Sequence, residues 1–246
     1  MQESNRPQEP KKKRRALAWL LNILIFLLIA GGVFLLVKPR VDNYLQDKKT
    51  AEVLEQMDVR EEPVLRVKIG RNDYKVAGEE LEQLGYEDEL PVSQSTAEAL
   101  APAEIEVNMY ATLQIPNIDL TMPVADKASL YSLRVAVGLW SPGAKIGQKG
   151  NAVIFGHRMQ VYGRHFNRLN EVNTGDRLIV TTYDAVYVYE VERQAVIKPE
   201  ALLQSITAPT DQPRLILVTC TPLYEPIGVD RLLIYSRLVE TRPIKR

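Results

Sequence analysis

From Ala16 to Val37 the chain reads ALAWLLNILIFLLIAGGVFLLV, with no charged residue and one strongly polar one, Asn22. A run of this length crosses a hydrocarbon core of about 30 Å as a helix. It exceeds the apolar region of a cleaved signal peptide, about 7–15 residues, and FLLVKPR offers no small-x-small cleavage site. It is apolar on every face, which does not suit the helix of a soluble core. Arg6 and KKKRR (Lys11 to Arg15) lie before it; Lys38, Arg40, Lys48 and Lys49 lie after it. The charges abutting the helix favour a cytoplasmic N-terminus. The expectation is a cytoplasmic basic tail over 1–15 and a single transmembrane helix over 16–37 held in the lipid bilayer. The rest of the chain is then extracellular.

Taken whole, the chain has the composition of a protein with a real core. It is 46% hydrophobic and 25% charged, and its formal net charge of zero gives no sign of nucleic-acid binding. Residues 41–57 have helix-forming composition and extend the span as a stalk, which Pro39 is expected to interrupt. Residues 58–108 are mixed and acidic, with short apolar pieces such as VLRVKI (Val64 to Ile69). The whole of 38–108 reads as an extracellular stalk and linker.

From Tyr110 the texture changes. Short runs rich in β-branched residues are punctuated by Gly, Pro and Asn. YATLQIP, LTMPV, GNAVIFG, GDRLIVTT, AVYVYEVERQAVI, PRLILVTC and VDRLLIYSRLVE read as strands. SLYSLRVAVGLW, FNRLNEV and KPEALLQSI read as short helices. About eight strands with few helical turns predict a mainly β fold, a closed or nearly closed barrel over 109–246.

The chain holds one cysteine, Cys220, and two histidines, His157 and His165. A lone cysteine outside the cell is an intermolecular link, an inert buried residue or a reactive thiol. Its position favours the last. Cys220 ends an apolar strand, His157 follows a buried strand in AVIFGHR, and Arg231 opens the strand after the cysteine. If the last two strands form a hairpin, Cys220 and Arg231 lie near the same end of the sheet. A thiolate nucleophile, an imidazole acid/base and a permanent cation to hold an oxyanion suit acyl transfer. His165, in YGRHFNRL, has no comparable placement.

LVTCTP with DRLLI downstream and AVIFGHR upstream resembles the sortase family over roughly Tyr110 to Glu240. The resemblance implies an eight-stranded sortase-like β-barrel behind an N-terminal membrane helix and linker. It implies catalytic roles for Cys220, His157 and Arg231, and maps Thr219 onto the family's threonine before the nucleophile, in oxyanion or substrate support. The implied reaction cleaves a C-terminal sorting signal of LPXTG type on secreted proteins. It passes through a thioacyl-enzyme to the amine of a peptidoglycan precursor, with no cofactor or metal. Unperturbed thiol and imidazole values would leave only about 1% of molecules as thiolate plus imidazolium. Neither an Asp-Pro-aromatic lid motif nor a second apolar helix is evident, and the chain ends in ETRPIKR after the last strand. The expectation is therefore a cell-wall anchoring type, with pilin polymerisation or a non-enzymatic wall-binding barrel as alternatives. The motif departs from the Ser-x-Gly-Cys of L,D-transpeptidases and from the Cys-before-His order of papain-like proteases. LPVSQ (Leu90 to Gln94) begins like a sorting signal, with Gln94 in place of the usual glycine; this pattern is common in linkers by chance, and the alternative reading is a tethered pseudosubstrate that competes for the groove.

Overall fold

The computed structural model describes residues 11–58, 61–70, 104–129, 132–159, 165–222 and 230–245. It divides into two compact units, residues 1–45 and 46–246. Residues 90–94, with the pseudosubstrate expectation, lie outside the described residues.

The first unit holds most of one long helix, α1 (Lys11–Asp58). Its stretch Trp19–Lys38 has a mean hydropathy of 2.9 and none of it is buried, so by length and composition it suits a membrane span. Pro39 does not interrupt α1. A proline removes one N–H from the ladder, and a single lost bond need not end a long helix. Arg40 Nη1 donates to the Leu36 carbonyl at 3.0 Å, adding a donor in the same turn.

The second unit is built on nine strands: β1 (Leu65–Gly70), β2 (Glu104–Ile115), β3 (Leu120–Ala125), β4 (Val137–Leu139), β5 (Gly150–Phe155), β6 (Arg177–Thr181), β7 (Ala185–Ile197), β8 (Pro213–Thr221) and β9 (Asp230–Pro243). Eight of them close a barrel in the order β2-β3-β4-β5-β8-β9-β7-β6, with β6 returning to β2. β2 is long enough to serve two partners along one edge. It pairs with β1 through residues 104–109 and with β6 through residues 112–114. All pairings are antiparallel except β3–β4 and β5–β8.

Side chains alternate between the two faces of each strand. The inward set fills the barrel: Leu113, Val124, Val137, Ile154, Val180, Tyr189, Leu217 and Ile234 represent the eight strands in one buried cluster. The outward set of the middle strands forms a second cluster, with Val153 and Phe155 from β5, Ile216 and Val218 from β8, and Leu233 and Tyr235 from β9. This outer face is roofed by Leu133 and by Leu202 and Ile206 of the short helix α2 (Leu202–Thr207). Asn151 ties α2 down by donating to the Ile206 and Ala208 carbonyls at 2.9 and 2.8 Å. The double cover explains why β8 is apolar without alternation.

A third cluster alters the reading of the membrane-proximal segment. Val53 and Met57 of α1 and Val67 and Ile69 of β1 are buried against Val107, Met109, Ala125, Val135 and Ala136. Thr50 Oγ1 donates to the Val135 carbonyl at 3.1 Å. Residues 46–58 and 65–70 are thus part of the barrel unit, and β2 begins at Glu104. The segment expected as a short helix before Trp140 keeps only a 3-10 turn, Ser132–Arg134, and then becomes β4. A Cβ at Gly138 would lie 2.3 Å from Ala128 Cα, so only glycine permits this packing.

Candidate active site

Three neighbouring strands bring the three expected residues into one row. β5 and β8 run parallel, with Phe155 beside Val218. The ladder continues past the end of β5: the Gly156 N–H donates to the Val218 carbonyl at 3.1 Å, and Thr219 Oγ1 donates to the Gly156 carbonyl at 2.8 Å. His157 is the next residue beyond this ladder, and Cys220 is the next residue along β8. On the other side β8 and β9 are antiparallel, and Cys220 faces Arg231 directly. Adjacent strands lie about 4.8 Å apart. Alternation from Val218 and Leu233 sends the Cys220 and Arg231 side chains to the outer face of the barrel wall, where Cys220 packs against the second cluster.

Each is held by its surroundings. His157 is 6% exposed. Gly156 before it has no room for a Cβ, which would meet the Phe166 ring at 2.6 Å, and the Phe166 N–H donates to the His157 carbonyl at 3.0 Å. Burial, and then the charge of Arg134, push the His157 imidazole down to about 4. It is therefore neutral at pH 7 as the site stands, and its imidazolium needs nearby negative charge, such as a thiolate. Arg231 is 2% exposed, and its Nη1 donates to the Asp230 carbonyl at 3.1 Å. Asp230 in turn pairs with Lys198 at 2.7 Å. A buried guanidinium beside a thiol on the next strand is an arrangement that functional sites favour.

Thr219 is fully buried and points the other way, into the barrel, where its hydroxyl holds the Gly156 carbonyl. In this geometry it sets the spacing between the histidine and cysteine strands. His165 lies closer to the site than its sequence position suggested. It is 4% exposed, has φ of 45°, and its ring centroid is 6.5 Å from that of His157. Its other surroundings are a cleft of about 200 Å³ that it lines with Asp47, Thr50, Asp119 and Thr121.

Two arginines at the site were not singled out from sequence. Arg134, in the 3-10 turn, bears on the His157 charge. Arg158 follows His157 directly. Its Nη1 donates to Thr221 Oγ1 at 2.6 Å, its Nη2 to Asn170 Oδ1 at 2.6 Å, and its Nε approaches the Asn167 carbonyl at 3.4 Å. Its place in GHR was visible, but its contacts depend on strand pairing and on the 165–170 segment. Among the described residues no group of three or more His, Cys, Asp or Glu side chains is placed to hold a metal ion.

A family model described as the sortase domain matches residues 113–239, just over half of the chain. Sortase SrtE1 of Streptomyces coelicolor is 29% identical over 154 residues, which is 54% of this chain and 41% of that one. Sortase D of Bacillus subtilis is 27% identical over 128 residues, 52% of this chain and 62% of that one. The matches thus span less than two thirds of these relatives. The crystal structure of Listeria monocytogenes sortase A superposes with a TM-score of 0.51 at 22% identity, covering 56% of this chain and 92% of that one, a likeness of fold.

Proposed function

Because the chain belongs to the sortase family, a family of cysteine transpeptidases, we propose that it is a membrane-anchored transpeptidase acting on sorting signals outside the cell. The observation that supports this reading is that Cys220 on β8 faces Arg231 on β9, while β5, which leads into His157, runs beside β8.

The Cys220 thiolate attacks the carbonyl carbon of the scissile amide. Arg231 donates N–H to the oxygen as negative charge gathers there. The C–N bond breaks, and His157 gives its proton to the departing amine. A thioester remains on Cys220. An incoming amine attacks that carbonyl and passes a proton to His157, and the thiolate leaves. The substrates are secreted proteins with an LPXTG-like C-terminal signal, and the acceptor is an amine of a peptidoglycan precursor. The span over residues 16–37 keeps the enzyme at the membrane, and the basic cluster before it keeps the N-terminus cytoplasmic.

The test uses the chain from residue 46 onward, incubated with a panel of sorting-signal peptides and a small amine. Mass spectrometry should find a peptide joined to the amine and a thioacyl adduct on Cys220. Cys220→Ala should show neither. Ligated product from Cys220→Ala above a mock preparation would sink the assignment.

A further inference from the structure

Arg158 is bonded to the strand of Cys220 one residue beyond the thiol. Thr219 and Thr221 alternate with Cys220 along β8, so their side chains point to the barrel side of the wall and the thiol to the outer side. The Arg158 guanidinium is bonded to Thr221 Oγ1 and so lies on the barrel side. All three of its nitrogens face neutral oxygens, those of Thr221, Asn170 and Asn167. It has no carboxylate partner among the described residues. A half-buried guanidinium held this way keeps a charge that no carboxylate among the described residues pairs with. Burial works against that charge, and the Cys220 thiolate works for it.

We infer that Arg158 is a positioning residue of the thiol site: it docks the Thr221 end of β8 onto the 167–170 segment and supplies a field that favours the Cys220 thiolate. Arg231 lies on the outer face with the thiol, where an oxyanion forms. Arg158 is held on the barrel side by Thr221, so its work is to prepare the nucleophile. The division resting on this geometry is one guanidinium for the transition state and one for the resting thiol. The inference depends on Cys220 being the nucleophile proposed above.

Cys220 is the only thiol in the chain, so its alkylation by iodoacetamide reports on one group. The rate should be followed against pH in wild type, Arg158→Gln and Arg158→Lys, with circular dichroism to confirm folding. An opposite charge nearby shifts such a midpoint by about one pH unit or more. Arg158→Gln should therefore move the alkylation midpoint up by about one unit, and Arg158→Lys by less than half of that. An unshifted midpoint in folded Arg158→Gln overturns the inference. If Arg158→Gln does not fold, Arg158→Lys decides alone: the lost three-way docking should lower kcat/KM about tenfold with little midpoint shift, and an unchanged kcat/KM overturns it. Failure of the nucleophile assignment is seen separately, as ligation by Cys220→Ala.

Discussion

Cys220 and Arg231 stand directly opposite each other in the antiparallel ladder of β8 and β9, the thiol half-buried and the guanidinium almost wholly so. Directly opposed residues have Cβ atoms about 4.5–5.5 Å apart and share a face. The pairing therefore puts both side chains on the same face of the sheet.

Arg231→Lys should separate charge from shape. Lysine keeps the positive charge but loses the planar fork, and losing one oxyanion donor is worth about 10²–10³ in kcat. We expect a fall of that size in peptide cleavage. Because Arg231 is 2% exposed, the melting temperature should fall too. Wild-type turnover in the variant would show that the oxyanion is held elsewhere.

The two histidines should respond differently. His157→Ala should lose activity by about 10²–10⁴-fold, the usual worth of general acid–base help. His165→Ala should keep kcat within about tenfold of wild type, since no strand register places it beside the thiol. Its burial predicts a lower melting temperature instead. Paired kinetic and thermal measurements distinguish these outcomes, and the reverse ranking would exchange their roles.

Stability should fall in mild acid because of His157. The unfolded imidazole takes up a proton near 6.5, whereas the folded one does so only near 4. Between those values the unfolded state binds more protons, so stability is lost as pH falls from about 6.5 towards 4. The full effect is about 3 kcal/mol at 1.36 kcal/mol per unit. Urea titrations of the chain from residue 46 onward at several pH values should show this slope, and His157→Gln should remove much of it. An identical slope in that variant would refute the assignment.

The end of α1 should behave as part of the barrel. Val53 and Met57 are 1% and 3% exposed. Met57→Ala should cost about 2–5 kcal/mol, as large-to-small core changes do. A fragment beginning at residue 60 should melt well below one beginning at residue 46, because β1 and Val135 lose their cover. Equal melting temperatures would mean that the helix end is dispensable.

Much of the fold is legible because it is local. GNAVIFG, GDRLIVTT, AVYVYEVERQAVI, PRLILVTC and VDRLLIYSRLVE match β5 through β9 closely, since β-branched runs between turn residues need no tertiary help to be read. The uncharged run from Ala16 to Val37 likewise declares a helix by composition. What failed was local inference where packing intervenes. α1 continues through Pro39, VGL (Val137 to Leu139) becomes a strand against Ala128, and VLRVKI becomes most of β1 because a cover from Met57 and Met109 awaits it.

The sequence by itself determined which side chains were available: one thiol, two imidazoles and an arginine after each of two strand boundaries. Only the tertiary structure decided which of them meet. β5 and β8 are separated in the chain by β6, β7 and α2, so their parallel pairing, which brings the strand leading into His157 next to the strand of Cys220, cannot be read from spacing. The pairing of β8 with β9 puts Arg231 in front of the wall with Cys220 and Thr219 behind it, where Arg158 bonds Thr221. The physical reason is the two-residue period of a strand: once the register is set, each neighbour in sequence is committed to the opposite face.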